Sequence, residues 1–524
     1  MQPGTRFTRP LIAGAAVAVL AGIVASCSGG GEGKHRGTAS SGASTTLASA
    51  PADADVVLGA GDEVVATVDP RYQSYNIEMV EVTGGTFWQP YDAGNGKVVR
   101  PPIDLTSKKL RNLARALGPA YIRVSGSWAN STYFDATGTS GGVAPDGFQG
   151  VLTTDEWKGV GAFADAVDGK VTTSFASNAG VRDAGGVWQP DQARALLQFT
   201  KQHDIPLVAV ELFNEPGLPV GMPGGYSADT FARDFEKFEK LVKEVMPNLK
   251  IAGPGTTAEF TPLVVSSAFT SSQILDRVGP AFDVFSFHSY PKVSERCGSP
   301  EGPEIALTQQ FLSRVETDKK RYEDVRNTYE PAASMWVTET AEAACGGDRW
   351  AARYLDVIRY VDTLGRLADG NGDVVFHNTL AASDYGLLDE KGFEPRPDYW
   401  AGVLWHRLMG PKVVALEGRP HVADLAVYAH CTPGAKRGDV TYAVVNSSAT
   451  ETRTVATRSG TARVYRLSGE RLDGNTISLN GTELRAERDG TLPDLTGRPV
   501  SGAIEVAPAS VAFVVDDAGS TACR

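Results

Sequence analysis

The chain has 524 residues, which is too long for one compact core and predicts two domains with additional segments. Its composition is that of a globular protein, with 42% apolar and 21% charged residues. The formal charge of −12 and the isoelectric point of about 5.2 argue against nucleic acid or a strongly polyanionic partner, because the mean electrostatic field would repel both.

The first 27 residues predict a lipoprotein signal peptide. Arg6 and Arg9 form a positive start, and the apolar run of residues 11–24 is shorter than the roughly 20 residues that span a bilayer. This run leads into Val-Ala-Ser-Cys, which ends at Cys27 and resembles a bacterial lipobox. We expect lipidation of Cys27 and export to the outer face of the bacterial cell membrane, with no other membrane contact. A plain secretory signal that is cleaved nearby is the alternative.

Two short regions follow the signal. Residues 28–54 are mostly Gly, Ser, Thr and Ala, with little apolar surface to bury, which predicts a flexible linker. Residues 55–70 are strand-like and are expected to add a strand to a sheet formed by the far end of the chain.

Strand-like and helix-like segments alternate through residues 71–410. Helix-like examples are 107–117 and 230–246, the second with apolar residues three and four apart after a capping Ser227. Repeated strand–helix units favour parallel strands with right-handed crossovers. The eight predicted strands therefore indicate an α/β fold, a closed (β/α)8 TIM barrel; they are residues 75–80, 121–126, 171–178, 207–215, 250–255, 284–290, 335–341 and 374–380.

The pattern changes after Gly410. Short strand-like runs separated by Gly, Asn, Asp and Pro predict an antiparallel β-sandwich over residues 411–524. The histidines and cysteines of the chain form neither a His-x-x-x-His nor a Cys-x-x-Cys spacing, so we expect no metal and no cofactor.

Four cysteines remain after Cys27, and an exported chain is found where disulfides persist. Four cysteines allow three pairings. We favour Cys297 with Cys345 and Cys431 with Cys523, because each pair then lies within one predicted domain. Free buried thiols are the alternative.

Glu215 ends the strand-like run "LVAVELFNE". Active sites of (β/α)8 barrels lie at the carboxyl ends of the strands. Most glutamates are ordinary loop or capping acids, but Asn214 precedes this one and Pro216 stiffens the turn after it. We therefore interpret Glu215 as a candidate catalytic acid.

A second acid closes the seventh predicted strand. Glu339 lies in "SMWVTETAEAACGG" after an apolar approach, and Glu342 is the nearby competitor, expected in the loop or on a helix cap. Two carboxyl groups facing each other across a barrel mouth suit retaining glycoside hydrolysis, in which one attacks the anomeric carbon and the other transfers a proton.

Several stretches together resemble the heparanase-type β-glucuronidases of glycoside hydrolase family 79. They are "FNEP", "FHSYP", "MWVTETAEAACGG", "YAHC" and the most distinctive, "HNTLAASDYGLLDEKGFEPRPDYWAGVLWHRLMG". The resemblance extends from about Tyr75 to the carboxyl terminus and is strongest over residues 283–410. It implies a retaining glucuronidase with Glu215 as acid/base and Glu339 as nucleophile.

The resemblance also implies roles for substrate-binding residues. Asn214 would bind the sugar 2-hydroxyl, Tyr290 would orient the nucleophile, and Tyr385 would bind the uronate carboxylate with backbone N–H groups near Ser383 and Asp384. The remaining positions are His288, which would line the pocket, and Glu78 and Ser127, which would bind sugar hydroxyls. Without the resemblance, the tyrosines are candidate rim residues, His288 is a candidate core histidine, and Arg123 is a buried partner for a carboxylate.

The predicted partner is a glucuronide-containing carbohydrate or glycoconjugate that carries no sulfate. The basic clusters and the long processed linker of animal heparanases are missing, and "DKKR" at 318–321 is interpreted as a solvated helix face. The competing hypotheses are a retaining barrel hydrolase for a neutral sugar and a sugar-binding lipoprotein without turnover.

Overall fold

The computed structural model describes residues 54–261, 266–418, 422–434, 437–517 and 520–524. The predicted signal peptide, Cys27 and nearly all of the predicted linker lie outside these ranges, so those predictions remain untested. No helix in the described ranges is long and apolar enough to cross a membrane.

Eight parallel strands close into a barrel in the order of the chain, which confirms the predicted (β/α)8 barrel. The strands are β1 Gln73–Glu78, β2 Ala120–Ser125, β3 Gly169–Thr173, β4 Leu207–Val210, β5 Lys250–Thr256, β6 Val284–His288, β7 Ser334–Thr340 and β8 Val374–His377. The predicted third, fourth and eighth strands were too long at their carboxyl ends. The residues beyond Thr173, Val210 and His377 belong to the loops that form the mouth of the barrel.

One helix follows each barrel strand. Ser107 and Ser227 accept hydrogen bonds from Leu110 N and Thr230 N. The predicted cap at Ser227 is therefore confirmed, although its helix begins two residues before the predicted start. The helices are α1 Lys108–Ala116, α2 Thr154–Ala166, α3 Asp191–Gln202, α4 Ala228–Val245, α5 Ser271–Val278, α6 Arg314–Tyr329, α7 Asp356–Leu367 and α8 Pro397–Leu408.

Short elements decorate the loops at the barrel mouth. After β1 come a helical turn, Met79–Thr83, and an antiparallel hairpin of Gly85–Trp88 with Lys97–Arg100. After β2, Thr132–Asp135 pairs with Gly150–Thr153. The helical turn before α6 is Gln309–Leu312, and 3-10 turns occur at Ala129–Ser131, Ala179–Val181, Glu295–Cys297, Pro303–Ile305 and Thr521–Cys523.

Two further sheets occupy the carboxyl-terminal region. The larger sheet is antiparallel and has nine strands: Ala60–Thr67, Lys412–Leu416, Leu425–Cys431, Val440–Asn446, Ser510–Asp516, Thr461–Ser468, Ser478–Leu479, Thr482–Glu483 and Arg498–Ser501. The smaller sheet consists of Val56–Leu58, Arg453–Thr457 and Ile504–Val506. The first of these strands pairs in parallel with the second, so the smaller layer is not purely antiparallel. The segment predicted as one strand over 55–70 forms two strands in different sheets.

Alternation along one strand shows how the larger sheet is packed. Val511 and Phe513 belong to the same apolar cluster as the barrel, whereas Ala512 and Val514 belong to a cluster that includes residues of the smaller sheet, such as Val56. One face of the sheet therefore packs on the barrel and the other on the smaller sheet.

Both favoured disulfides are present. Cys297 is bonded to Cys345, which joins the loop after β6 to the loop after β7. Cys431 is bonded to Cys523, which ties the carboxyl terminus to the larger sheet.

The "DKKR" stretch lies on α6, but the prediction of a solvated face is wrong for two of its four residues. Asp318 and Lys319 are buried. The Lys319 ammonium lies 2.7 Å from Asp373 Oδ2 and also pairs with Asp369. Two carboxylates therefore balance the positive charge of this buried lysine.

The contact between α7 and the larger sheet yields a test of the packing. Tyr428 donates a hydrogen bond of 2.6 Å to Asp362 Oδ1, and a methyl group at Gly365 would lie 2.2 Å from the Tyr428 ring. Gly365→Ala should therefore lower the free energy of unfolding by roughly 1–3 kcal/mol, because overpacking outweighs the helix propensity of alanine.

Gly159→Ala on α2 is the matched control. Its added methyl group would meet no atom within 4 Å, so it should stabilise by about 0.5–1 kcal/mol. Urea unfolding followed by circular dichroism measures both variants. Equal stabilisation by the two substitutions would contradict the described contact.

Candidate active site

Strand ends bring the predicted acids to the mouth of the barrel. Glu339 is the penultimate residue of β7 and pairs in register with His288, the last residue of β6. Glu215 lies five residues beyond the end of β4, in a turn where its φ is +48°. A loop residue thus supplies one acid and a strand residue supplies the other.

Three side chains converge at this point. Carboxylate oxygens of Glu215 and Glu339 and a ring nitrogen of His288 all lie within 4.8 Å of one another. His288 Nδ1 is 2.9 Å from Glu215 Oε1 and 3.5 Å from Glu339 Oε2. The side chain of Glu215 is 12% exposed and that of Glu339 is 7% exposed, so both acids are largely shielded from solvent.

Arg123, on β2, lies beneath the acids. Its guanidinium donates to Glu211 Oε2 at 2.8 and 3.0 Å, to Glu339 Oε1 at 2.8 Å and to Asn214 Oδ1 at 2.8 Å. Glu211 also accepts from Ser286 Oγ at 2.7 Å, so its carboxylate is satisfied. The ion pairs of Arg123 with Glu339 and Glu211 thus connect β2 with β7 and with the residue after β4. The alternative interpretation of Arg123, as a buried partner for a carboxylate, is correct.

The environment of Glu339 favours its ionised form. Burial raises the pKa of this carboxyl, but its electrostatic interactions with His288 and Arg123 and the hydrogen bonds from Arg123 and Tyr290 outweigh that effect. The pKa of Glu339 therefore lies below its usual value of 4.5. Tyr290 donates to Glu339 Oε2 at 2.9 Å, as expected for a residue that orients this carboxylate.

Glu78, the last residue of β1, has the opposite environment. Burial, followed by the charges of Glu339 and Glu81, raises its pKa well above the usual 4.5. Its Oε1 accepts from Asn378 Nδ2 at 3.2 Å, while Oε2 is buried without a hydrogen-bond partner in the described ranges. A methyl group at Gly126 would lie 1.6 Å from Oε2, so only glycine leaves room for this carboxyl group.

Asn378, just beyond β8, connects the remaining side chains. Its Nδ2 lies 2.9 Å from Tyr290 Oη and 3.3 Å from Tyr385 Oη. Both tyrosines are buried, which excludes the alternative that they are rim residues. The network Glu339–Tyr290–Asn378–Tyr385 thus extends from the acid pair to the loop after β8.

The loop after β8 packs against Gly346 and Gly347 of the loop after β7. Gly346 O accepts from Ser383 Oγ at 2.8 Å and from Asp384 N at 3.1 Å. The N–H of Asp384 is therefore already bonded, which contradicts its expected use as a free donor. A methyl group at Gly347 would lie 3.0 Å from Tyr385 N, so the backbone of Tyr385 lies directly against this glycine.

Asn214 and Ser127 occupy the side of the pocket formed by β2 and β4. Asn130 holds the backbone of Asn214 with two hydrogen bonds, of 2.8 Å to its carbonyl and 3.0 Å from its N–H. Ser127 is half-buried two residues beyond β2. Glu342 lies in the loop after β7, as expected, where its Oε1 accepts from Asp348 N at 2.5 Å.

Sequence reasoning missed Glu211, Asn378 and Asn130. Glu211 falls inside the strand predicted over 207–215, and a carboxylate in an aliphatic run is a signal of a buried charged partner. Asn378 directly follows β8, at the position where barrel sites collect, and that placement could have identified it. Asn130 lies in a 3-10 turn and carries no sequence signal of its contact with Asn214.

The acid pair and His288 also present donor atoms of the type that bind divalent cations. Arg123 already contacts both Glu339 and His288, with Nη2 lying 3.2 Å from His288 Nε2. Its fixed positive charge would repel a cation there, so this donor set fits a metal ion poorly.

The Arg123 contacts yield a prediction that is independent of activity. Arg123→Met leaves two buried carboxylates without their partner and should reduce the free energy of unfolding at pH 7.5 by about 3–5 kcal/mol. Removing the positive charge raises the pKa of the Glu339 carboxyl in the folded state. The loss should therefore be smaller at pH 4.5, where the folded protein takes up a proton. Urea unfolding at the two pH values measures this difference.

Arg471→Met is the control, because Arg471 and its partner Asp473 are both exposed, and no change is expected. An Arg123→Met variant as stable as the parent at pH 7.5 would show that the described network is not formed.

Comparison with known proteins identifies related chains. The family model described as "Glycosyl hydrolase family 79, N-terminal domain" matches residues 97–365. Heparanase-like protein 1 of Arabidopsis thaliana is 28% identical over 82% of this chain and 88% of its own length. Baicalin-beta-D-glucuronidase of Scutellaria baicalensis is 29% identical over 55% of each chain. Inactive heparanase-2 of Homo sapiens is 26% identical over 67% of this chain and 62% of its own length.

The fold has a solved counterpart. The crystal structure of a 4-O-alpha-L-rhamnosyl-beta-D-glucuronidase from Fusarium oxysporum has a TM-score of 0.62 and 14% identity, and the match covers 88% of this chain and all of that one. This likeness concerns the fold alone. The family assignment depends on the sequence match over residues 97–365, which is more than half of the chain. The chain belongs to glycosyl hydrolase family 79.

Proposed function

We propose that this protein is a retaining glycoside hydrolase that releases β-linked glucuronic acid from polysaccharides or glucuronide conjugates. The observation that carries the proposal is the approach of Glu215 and Glu339, whose carboxylate oxygens lie within 4.8 Å. Retaining enzymes hold the two carboxyl groups about 5–5.5 Å apart, whereas inverting enzymes need about 6.5–9.5 Å to admit a water molecule. Related chains named as active and as inactive proteins both match, so this geometry and not the family carries the argument.

Glu339 is assigned as the nucleophile. Its low pKa keeps it ionised, and Oε2 is the oxygen on the side of Glu215. Attack on the anomeric carbon forms a glycosyl–enzyme ester as the bond to the leaving oxygen breaks. Arg123 and Tyr290 hold the carboxylate in place for this attack.

Glu215 is assigned as the acid and base. It gives its proton to the leaving oxygen in the first step, and in the second step takes a proton from the water that cleaves the ester. His288 is placed to orient it. In the neutral ring, Nε2 accepts from Arg123, so Nδ1–H donates to Glu215 Oε1 at 2.9 Å.

Glucuronic acid is the sugar that the pocket supports best. Tyr385 and backbone N–H groups of the loops after β7 and β8 are the donors we assign to the uronate carboxylate. Glu78 has a raised pKa, and a protonated carboxyl can donate to a sugar hydroxyl as well as accept from one. The formal charge of −12 favours substrates without sulfate. The related baicalin-beta-D-glucuronidase carries the same activity in its name.

Aryl glycosides test this proposal. The protein should release 4-nitrophenol from the β-D-glucuronide and not from the β-D-glucoside. Glu339→Gln and Glu215→Gln should each lower kcat/KM by at least about 100-fold, because the nucleophile or the proton donor is lost.

Glu236→Gln, an exposed acid of α4, is the control and should keep the parent rate. Preferred cleavage of the glucoside would replace glucuronic acid with a neutral sugar as the substrate. Binding of glucuronic acid without any release of nitrophenol would instead identify a sugar-binding protein.

We also propose that the protein is an exported lipoprotein anchored through Cys27. The support is the lipobox-like sequence after a short apolar run. In a bacterial host, the full chain should fractionate with membranes and incorporate labelled palmitate, and Cys27→Ala should lose the label. An unlabelled parent would favour the plain secretory signal, and a labelled Cys27→Ala variant would show that another residue carries the lipid.

A further inference from the structure

The hairpin after β1 forms one wall of the barrel mouth. Its two strands pair Trp88 directly with Lys97. A methyl group at Gly346 would lie 2.6 Å from Trp88 Cβ, so Trp88 packs on the loop that contacts Tyr385 through Gly347. The wall is therefore attached to the loops assigned to the uronate.

A second indole approaches from the loop after β2. Trp128 lies two residues after Gly126, which receives the carboxyl group of Glu78, and one residue after Ser127. Phe87 packs edge-on against Trp128 with a centroid distance of 4.8 Å. Both tryptophans are half-buried and neighbour residues of the proposed sugar pocket.

Lys97 connects the two indoles. Its ammonium nitrogen lies 4.4 Å from the Trp88 ring centroid and 5.4 Å from that of Trp128. Cation–π contacts of this kind contribute about 0.5–1 kcal/mol each at exposed sites. The lysine thus bridges the loops after β1 and β2.

The turn of the hairpin, residues 89–96, is anchored more firmly. Arg296 lies over the Tyr91 ring, with its guanidinium carbon 3.9 Å from the centroid, and pairs with Asp384 at 2.5 Å. Its Nη1 donates to Gln89 O at 2.8 Å. Tyr91 N donates to Asp384 Oδ1 at 3.1 Å. Because Arg296 and Asp384 belong to the loops after β6 and β8, the turn of the hairpin is bound to both of these loops.

The position of this wall relative to Glu215 decides what it contacts. In an eight-stranded barrel with the strands in chain order, β8 lies opposite β4, and β7 and β1 flank β8. In a pyranose ring, C4 lies opposite C1. A glucuronate with its glycosidic oxygen at Glu215 would therefore direct its 4-hydroxyl towards the loops after β7, β8 and β1, the last of which carries Trp88 and Lys97.

We propose that Trp88, Trp128 and Lys97 close the pocket beyond the 4-hydroxyl, so that the protein accepts terminal glucuronic acid with a free 4-hydroxyl and excludes sugars substituted there. This inference rests on the proposed function for the orientation of the sugar. Such closure would make the protein exo-acting. Removal of Lys97, which bridges the two indoles, would open space beyond the 4-hydroxyl. Exclusion by a built-in clash is a common route to specificity.

The test compares 4-nitrophenyl β-D-glucuronide with its 4-O-methyl derivative. The parent protein should have a kcat/KM at least about tenfold lower for the methylated substrate. Lys97→Ala should reduce this ratio about fivefold or more, because the bridge between the indoles is lost. Lys97→Arg retains a cation over both rings and should keep the parent ratio.

Lys158→Ala is the matched control. Lys158 lies over the Phe199 ring at 5.5 Å on the outer helices of the barrel, so its removal breaks the same kind of contact far from the pocket. It should leave the ratio unchanged. Equal cleavage of both substrates by the parent, or an unchanged ratio in Lys97→Ala, would overturn the proposal.

A binding measurement separates this inference from the proposed function. Calorimetric titration with free glucuronic acid and 4-O-methylglucuronic acid requires no turnover. If neither aryl substrate is cleaved but the parent binds only the unmethylated acid, the hydrolase proposal fails and the wall is supported. If the parent binds both acids equally or binds neither, the wall is also overturned.

Discussion

One buried guanidinium sets the spacing on which the site depends. Arg123 is 2% exposed and contacts Glu211, Asn214 and Glu339, which lie on or after strands β4 and β7. A charge in such a place is costly unless it is paired and hydrogen-bonded, and here the geometry satisfies both conditions. Because the same side chain contacts Glu339 and the residue before Glu215, the two acids cannot separate without breaking a buried contact of Arg123.

The barrel interior is arranged in layers that support this arrangement. Apolar side chains fill the level below, formed by Ala209, Ala252, Val284, Trp336, Val374 and Phe376. Above them lie Arg123 and its partners, and the mouth carries Glu215 and Glu78. The apolar layer excludes water and so strengthens the ion pairs of Arg123 above it. These ion pairs then hold the carboxyl groups at the barrel mouth in position. The opposite pKa directions of Glu339 and Glu78 follow from their neighbours, since His288, Arg123 and Tyr290 lower the pKa of Glu339, whereas burial and the charges of Glu339 and Glu81 raise that of Glu78.

Much of this architecture could be predicted from the sequence. Regular alternation of strands and helices indicated the barrel, and the order of the strands then placed Glu339 and His288 at one edge. The prediction of β4 was too long, because the alternation of "LVAVELFNE" continues after the chain leaves the sheet at Val210. Contacts between distant segments were not predictable, since nothing local links Glu211 to Arg123 or Asn378 to Tyr290. The same limit explains Lys319, whose acidic partners come from another part of the chain.

The stereochemistry of the first product is the most direct test of the central claim, that two carboxyl groups this close act by double displacement. Proton NMR can follow 4-nitrophenyl β-D-glucuronide with the parent protein before mutarotation mixes the anomers. The account predicts that β-glucuronic acid appears first and the α anomer only later. Initial release of the α anomer would contradict it, because inversion requires a water molecule between acids held farther apart.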